Sequence, residues 1–244
     1  MSPPDGPQPI RGSMGATDPG PRNVELDRQN PDILVPPETD NGSFPNLKFS
    51  FSLAHNRLED GGWAREVTVR DLPVATAMAG VNMRLGPGVV RELHWHEEAE
   101  WGYVTQGRVR VTVVDVDRSV FVDDLQEGDA WLFPAGIPHS IQGLEEGCEF
   151  LLVFDDGKFS EYQTMLITEW FAHTPRDVLA KNFGVAESCF ANIPKKEKYI
   201  FRLEVPPPLE EVRKRLPDHK PKTPFTWHAS AQEPNRYDGG STKV

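Results

Sequence analysis

Two histidines and a glutamate lie close together in the stretch Gly88 to Gly107, which reads GVVRELHWHEEAEWGYVTQG. His94 and His96 are two residues apart, so both imidazoles project from the same face of an extended strand, and Glu100 keeps the same parity. Imidazole nitrogen and carboxylate oxygen together suit a divalent first-row transition metal rather than calcium or thiolate-bound structural zinc. The spacing therefore predicts three ligands of one metal ion.

A second stretch, residues 128–139, reads GDAWLFPAGIPH and supplies a candidate fourth ligand. A short apolar strand is followed by a turn at Pro134, and His139 comes directly after Pro138, which fixes the backbone there. If the two stretches face each other across a β-barrel, His139 completes a site of three histidines and one carboxylate. The competing interpretation is a set of polar residues lining a barrel, and four ligands at this spacing favour the metal site. The remaining histidines have no such neighbours and are assigned to structure or surface: His55, His173, His219 and His228.

The elements that must position these residues are short strands. Apolar and polar residues alternate in FSFSLAH, AREVTVRDL, AGVNMRL, RVRVTVVD and SVFVDDL, and apolar runs follow in AWLF and EFLLVF. Many short strands without alternating helices predict an antiparallel barrel or jelly roll. Towards the C-terminus, Pro175 and Gly184 bracket a predicted helix around VLAKNF, and ESCFANI predicts a second, shorter one.

Composition narrows the classes of function. The 244 residues carry a formal net charge of −11, which argues against nucleic acid and anionic membranes as partners. Cys148 and Cys189 do not form a disulfide framework. No stretch approaches the roughly 20 apolar residues of a membrane span. No secretory signal is visible at the N-terminus, so we expect a cytoplasmic protein, or a secreted one whose signal was removed.

The two stretches together resemble the two-part signature of the cupin superfamily, G-x5-H-x-H-x3-E-x6-G followed by G-x5-P-x-G-x2-H. Nine residues fit it: Gly88, His94, His96, Glu100, Gly107, Gly128, Pro134, Gly136 and His139. The one departure is Gly143, where the signature usually has Asn. The resemblance implies an all-β fold, an antiparallel double-stranded β-helix that forms a jelly-roll barrel, with short C-terminal helices and an extended N-terminal arm.

Longer segments, such as RELHWHEEAEWGY and PAGIPHSIQGLEEGCEFLLVFDDG, resemble the oxalate decarboxylases, which are bicupins. The likeness runs from about residue 50 to 201. It implies an arm at 1–47, a cupin barrel with lid and helices at 48–203, and a linker at 204–244 towards a second cupin. On this interpretation the chain is the first half of a bicupin, so we expect it to pack with a second cupin domain or as a homo-oligomer.

The resemblance also implies a small dicarboxylate substrate, oxalate, with manganese and dioxygen as cofactors. The residues alone do not select the metal, because manganese is the weakest binder of the divalent first-row ions, so iron, cobalt and zinc stay open. Four protein ligands on an ion that prefers six leave two positions for water, substrate or dioxygen.

Arg91 is a candidate for substrate binding because a guanidinium can hold a carboxylate through two parallel hydrogen bonds. Strict alternation sends Arg91 to the face opposite His94, so it points outward unless a bulge near Glu92 and Leu93 redirects one of them. Spacing alone leaves both placements open. The resemblance implies the inward one, since the substrate-binding arginine of the family falls at this position.

The segment FSEYQTM contains a predicted lid, Ser160, Glu161, Tyr162, Gln163 and Thr164. On residue types alone it is a polar loop with Glu161 in solvent. It resembles the family's lid Ser-Glu-Asn-Ser-Thr, whose glutamate delivers a proton, with Tyr162 and Gln163 replacing Asn and Ser.

The resemblance therefore implies an oxalate decarboxylase, a carboxy-lyase that converts oxalate into formate and carbon dioxide, with Glu161 as proton donor and Arg91 beside the metal. Because the donor must carry a proton, we expect maximum activity on the acid side. Two alternatives stay open. One is an oxalate oxidase or another metal-dependent dioxygenase, and the other is a binding or storage cupin without catalysis.

Overall fold

The structure is a computed structural model that describes Glu25 and residues 47–216, 221 and 223–243. The predicted arm at 1–47 lies outside the described residues except for Glu25 and residue 47, and so does His219. The described strands are β1 (Asn56–Glu59), β2 (Gly62–Val67), β3 (Ala79–Leu85), β4 (Val90–Trp95), β5 (Glu100–Val114), β6 (Val120–Gln126), β7 (Ala130–Phe133), β8 (His139–Phe154), β9 (Met165–Leu166), β10 (Ile200–Phe201), β11 (Thr226–Trp227), β12 (Asn235–Tyr237) and β13 (Gly240–Thr242). The described α-helices are α1 (Ile167–His173), α2 (Arg176–Phe183) and α3 (Leu209–Arg215).

Strands β1 to β11 form one antiparallel sheet, and β12 and β13 form a separate hairpin. The long strands β5 and β8 run side by side and each takes part in two halves of the sheet. The first part of β8 pairs with β4, and its second part pairs with β3. Side chains from both halves belong to a single buried cluster, so the halves pack on a common core. The predicted all-β antiparallel fold is confirmed.

Glycines allow β5 and β8 to bend from one half to the other. The pairing register between the two strands shifts on either side of Gly107, which has φ of +73°, and Gly147 opposite has φ of +71°. A Cβ atom on Gly107 would collide with the carbonyl oxygen of Gly147. Glycine is required there because other residues adopt a positive φ only with strain.

The core is built from the inward side of the alternating strands. Val109, Val111 and Val113 of β5 have no exposed surface, as the alternation with Arg108 and Thr112 predicts. Each fully buried valine stabilises the fold by roughly 1.5–3 kcal/mol relative to an exposed one. Val113 is paired with His139, so this buried core adjoins one of the candidate ligands.

Several predicted elements differ from the observed ones. The strand predicted at FSFSLAH is wrong, because residues Phe51–Leu53 form a 3-10 helix whose first turn donates a backbone N–H from Ser52 to the Ser50 hydroxyl oxygen. The helix around VLAKNF is confirmed as α2, which ends at Gly184 with φ of +68°. The shorter helix at ESCFANI is a 3-10 helix, Glu187–Phe190. Helix α1 was not predicted.

The C-terminal segment that the sequence suggests is a linker contains regular structure. Within residues 204–244, α3 forms a short helix, and β11 adds to the barrel sheet by pairing with β7. Among the residues that the structure describes, no helix has the length and apolar character needed to cross a membrane.

Candidate metal centre

The structure brings the four predicted ligands together at one end of the barrel. His94 lies near the end of β4, Glu100 begins β5 and His139 begins β8, directly opposite His94 in the sheet. His96 follows β4 in the connection to β5. All four side chains are buried, and one donor atom from each lies within 4.8 Å of the others. Among the described residues this is the one group with the geometry of a metal site.

Each imidazole is oriented by its own backbone. The Nδ1 atoms of His94, His96 and His139 lie 2.6, 2.7 and 2.8 Å from backbone carbonyl oxygens. A carbonyl oxygen only accepts hydrogen bonds, so each Nδ1 must carry a proton, and in a neutral ring Nε2 is then the nitrogen whose lone pair can bind a metal ion. His139 Nε2 is buried without a hydrogen-bond partner in the protein. These features fit a divalent metal ion bound through the three Nε2 atoms.

The carboxylate of Glu100 completes the group. Its Oε2 atom lies 3.3 Å from His96 Nε2 and 3.5 Å from His139 Nε2. Its other oxygen, Oε1, accepts a 2.9 Å hydrogen bond from the indole N–H of Trp131. Burial raises the pKa of Glu100, but the adjacent His139 and His96 outweigh it and hold that pKa well below its usual range. Burial, and then the charge of Arg91, hold the pKa of His94 well below its usual value.

Arg91 points into the site because a bulge interrupts β4. The pairing register between β4 and β8 shifts between Arg91 and His94, which resolves the two placements that spacing left open. The Arg91 side chain is 3% exposed, while Leu93 is exposed. Arg91 lines the same narrow cavity as His94, His96 and Glu100.

The predicted lid turns Glu161 and Thr164 towards the cavity, while Tyr162 and Gln163 are exposed. Residues Glu161–Gln163 form a 3-10 helix that Ser160 caps by accepting a hydrogen bond from the backbone N–H of Tyr162. Glu161 lines the cavity, and its Oε2 atom lies 3.9 Å from an Arg91 nitrogen. Thr164 also lines it, whereas Tyr162 is 85% exposed. The two lid positions that depart from the family pattern therefore face solvent.

Sequence reasoning missed two buried residues, Glu92 and Tyr199, that fix the structure around Arg91. One carboxylate oxygen of Glu92 accepts a hydrogen bond from the backbone N–H of Thr168. The other oxygen accepts hydrogen bonds from the backbone N–H groups of Lys198 and Tyr199. The Tyr199 carbonyl in turn accepts a hydrogen bond from Arg91. The centre of the Tyr199 ring lies 4.2 Å from the guanidinium carbon of Arg91. More than 100 residues separate Tyr199 from these partners, so no local pattern could have indicated them.

The described histidines that were assigned to structure or surface lie outside the metal-binding group. The Nδ1 atom of His173 lies 2.8 Å from the carbonyl oxygen of Glu169, and His228 Nε2 lies 2.8 Å from a carboxylate oxygen of Asp123. His55 is exposed.

The barrel and its group of three histidines and one glutamate define a metal-binding cupin, and a family comparison agrees. The Cupin profile matches residues 50–189, more than half of the chain. The chain belongs to the cupin family.

Individual relatives narrow the similarity to oxalate decarboxylases. The chain is 58% identical over 240 residues to oxalate decarboxylase OxdC of Bacillus subtilis (strain 168), covering 98% of this chain and 62% of that protein. It is 47% identical over 186 residues to a probable oxalate decarboxylase of Arthroderma benhamiae, covering 75% of this chain and 46% of that protein. The predicted resemblance is confirmed, and the chain spans about half to two thirds of the length of these relatives.

Solved structures show the same similarity. A single-residue variant of the B. subtilis oxalate decarboxylase has a TM-score of 0.87 at 58% identity, covering 97% of this chain and 63% of that one. Another solved structure, from work on the Mn(II) centres of the B. subtilis enzyme, has a TM-score of 0.86 at 58% identity. It covers 96% of this chain and 62% of that one.

Proposed function

We propose that this chain carries the active site of a manganese-dependent oxalate decarboxylase, which converts oxalate into formate and carbon dioxide with dioxygen as cofactor. The observation that carries this proposal is the convergence of three of the four metal-binding residues, Arg91 and Glu161 on one narrow cavity. The high identity to oxalate decarboxylases and the Mn(II) centres of the B. subtilis enzyme support it.

The donor set fits manganese, and His94, His96, Glu100 and His139 would hold it. When bound, manganese supplies Lewis-acid and one-electron redox chemistry at this position, with dioxygen as the co-reactant. The neutral imidazoles leave most of the ion's positive charge uncompensated. The site can therefore attract a dianion although the chain as a whole is negative.

Arg91 binds and orients the substrate in this proposal. Its buried guanidinium is fixed by the Tyr199 carbonyl, and it presents donors to the cavity in the planar geometry that a carboxylate matches. One carboxylate of oxalate held in this way places the carbon–carbon bond between Arg91 and the metal group. The apolar walls formed by Phe154 and Phe159 exclude water from the remaining space.

Glu161 supplies the proton. As the carbon–carbon bond breaks and carbon dioxide leaves, the remaining carbon forms a bond to the proton of the Glu161 carboxyl group, which gives formate. Glu161 Oε2 is buried and has no hydrogen-bond partner in the protein, so this oxygen is available to a substrate in the cavity. If the lid does not deliver the proton, the same substrate carbon is oxidised to a second carbon dioxide, and dioxygen accepts the electrons and becomes peroxide, which is the oxalate oxidase outcome.

The test measures formate and peroxide from oxalate under air with the manganese-loaded chain, Glu161→Gln and the control Glu187→Gln. Glu187 is an exposed glutamate outside the cavity. We expect the Glu161 variant to lose formate production by roughly 10²–10⁴-fold, as for removal of a general acid, with unchanged manganese content. Equal formate rates for variant and parent would remove Glu161 from the mechanism. Peroxide without formate from the parent would indicate an oxalate oxidase. If the parent formed neither product, the chain would be a binding cupin.

We also propose that the chain associates with a second cupin barrel, either another domain or a second copy. Trp101 of β5 is paired with Leu132 of β7 on one side and Val153 of β8 on the other, and all three side chains are at least 37% exposed. A contiguous apolar face of this kind usually indicates an interaction surface. Light scattering of the chain and of Trp101→Lys should show association that the substitution reduces; a monomeric parent would contradict the proposal.

A further inference from the structure

A second cavity of about 170 Å³ lies on the other side of Glu161. Its walls include Glu66, Tyr199 and Arg57, and Glu161 lines both this cavity and the metal cavity. A cavity needs roughly 10–15 Å³ of such volume to hold one water molecule, so the outer cavity has room for several. Glu161 therefore lies between the metal cavity and this outer cavity, which is called the outer chamber below.

Glu66 is the acid that faces Glu161 from this chamber. It lies on β2 with the same parity as the buried Ala64, so its side chain turns inward. Its Oε1 atom forms a 2.6 Å ion pair with Arg70, while its Oε2 atom is buried without a hydrogen-bond partner in the protein. Burial, and then the charge of Glu161, raise the pKa of Glu66 above its usual value. Glu66 is therefore an acid that tends to keep a proton next to the proposed proton donor.

The other charged groups around the chamber leave Glu66 without a strong cationic partner. Arg57 already pairs with Glu59 at 2.9 Å and with Glu197 at 3.0 Å. The side chain of Arg70 is 65% exposed, so solvent screens its pairing with Glu66. Asp71 contributes a negative charge that also raises the pKa of Glu66.

Three further titratable side chains line the chamber: His55, Tyr162 and Tyr199. His55 is exposed at its mouth. The hydroxyl of Tyr199 is buried without a hydrogen-bond partner, and burial together with the charge of Glu161 raises its pKa well above the usual value. Tyr199 thus remains a neutral hydroxyl, which can donate and accept hydrogen bonds but does not supply protons itself.

We propose that Glu66 is the relay residue that returns a proton to Glu161 after each turnover, an inference that rests on the proposed decarboxylase function. Conversion of the oxalate dianion into formate and carbon dioxide consumes one proton, which the substrate carbon takes from Glu161. In the return step the O–H bond of the Glu66 carboxyl group breaks and an O–H bond forms on Glu161. Glu66 then recovers its proton from water in the outer chamber. Because it acts through Glu161, Glu66 has no contact with the substrate.

The test compares Glu66→Gln with the parent and with the control Glu197→Gln, which removes a carboxylate of the Arg57 pair but does not line the chamber. We expect the Glu66 variant to keep its manganese content and its KM for oxalate, and to lose kcat by roughly 10- to 100-fold, less than loss of the acid itself. The deficit should widen as pH rises, because the dianion then brings no proton of its own. Peroxide should rise relative to formate, and Glu66→Asp should restore part of the rate.

Two results would overturn the relay: a parental kcat and pH profile for the Glu66 variant, or an equal loss in the control. A second measurement does not depend on turnover. Infrared spectra of the metal-loaded protein across a pH series should contain a protonated-carboxyl band that disappears in Glu66→Gln and titrates at lower pH in Glu161→Gln. A band unaffected by the Glu161 change would show that the two carboxyls are uncoupled. Absence of formate from the parent would instead refute the proposed function.

Discussion

Glu92 offers a sharp test of how buried hydrogen bonds fix the chain segment beside Arg91. Its carboxylate accepts hydrogen bonds from the backbone N–H groups of Thr168, Lys198 and Tyr199 at 2.9, 2.9 and 2.8 Å. The substitution Glu92→Gln keeps the shape of the side chain, but it replaces one accepting oxygen with an NH2 group. That group can only donate, so one backbone N–H loses its acceptor.

The expected cost follows from these three bonds. Leaving one donor unsatisfied costs about 1–3 kcal/mol, and each remaining bond weakens by about 1 kcal/mol when its acceptor is no longer ionised. Part of this loss is offset because a neutral amide is easier to bury than a carboxylate. We therefore expect the free energy of unfolding to fall by roughly 2–4 kcal/mol, a large share of the roughly 5–15 kcal/mol of a typical domain.

The loss of hydrogen bonds in Glu92→Gln should also affect the candidate site, because Glu92 is bonded to Tyr199. This residue has φ of +55°, a conformation that costs a bulky side chain roughly 1–3 kcal/mol and that the bonds to Glu92 help to hold. We expect KM for oxalate to rise in Glu92→Gln, because Arg91 loses its fixed carbonyl partner. Manganese content should not change, since the ligand imidazoles are oriented by backbone carbonyls, including that of Glu92, which the substitution leaves in place.

Urea unfolding monitored by tryptophan fluorescence measures the stability change, and Glu197→Gln is the matched control. Glu197 lies two residues before Tyr199 and forms a partly exposed ion pair, so its loss should cost at most about 1 kcal/mol. A change below about 1 kcal/mol in Glu92→Gln, or the same change in both variants, would refute the reasoning that Glu92 fixes this segment.

Three further predictions concern the bend, the cysteines and the metal. Gly107→Ala should lower the free energy of unfolding by at least about 2 kcal/mol in urea titrations, because a Cβ at a φ of +73° meets the Gly147 carbonyl; a neutral effect would contradict the bend geometry. Iodoacetamide should modify exposed Cys189 in the folded protein but Cys148 only after denaturation, because burial raises the pKa of Cys148 to about 12; mass spectrometry of the digested protein distinguishes them. Removing the metal with a chelator should lower Tm, and restoring free manganese to 100 times Kd should add about 2.7 kcal/mol of stability. An unchanged Tm would argue against a metal held by this group.

The sequence by itself predicted the barrel and the four residues that the structure assembles into a metal-binding group. Strand alternation is a local property, and His94, His96 and Glu100 share one connected stretch, so their common face follows from the period of two residues. His139 required the assumption that two stretches meet, and the direct pairing of His139 with His94 in the sheet provides it.

Other features were decided by contacts between distant parts of the chain. Alternation alone left Arg91 with two possible faces, and only the shift in pairing between β4 and β8 turns it inward. The roles of Glu92 and Tyr199 depend on hydrogen bonds that span more than 100 residues. In the sequence Glu66 is one acidic residue of a predicted strand, and nothing there connects it with Glu161. Only the fold brings the two residues to the same cavity. Periodicity fixes which side of a strand a residue occupies, but a bulge, a buried partner or a shared cavity exists only once separate strands have packed together.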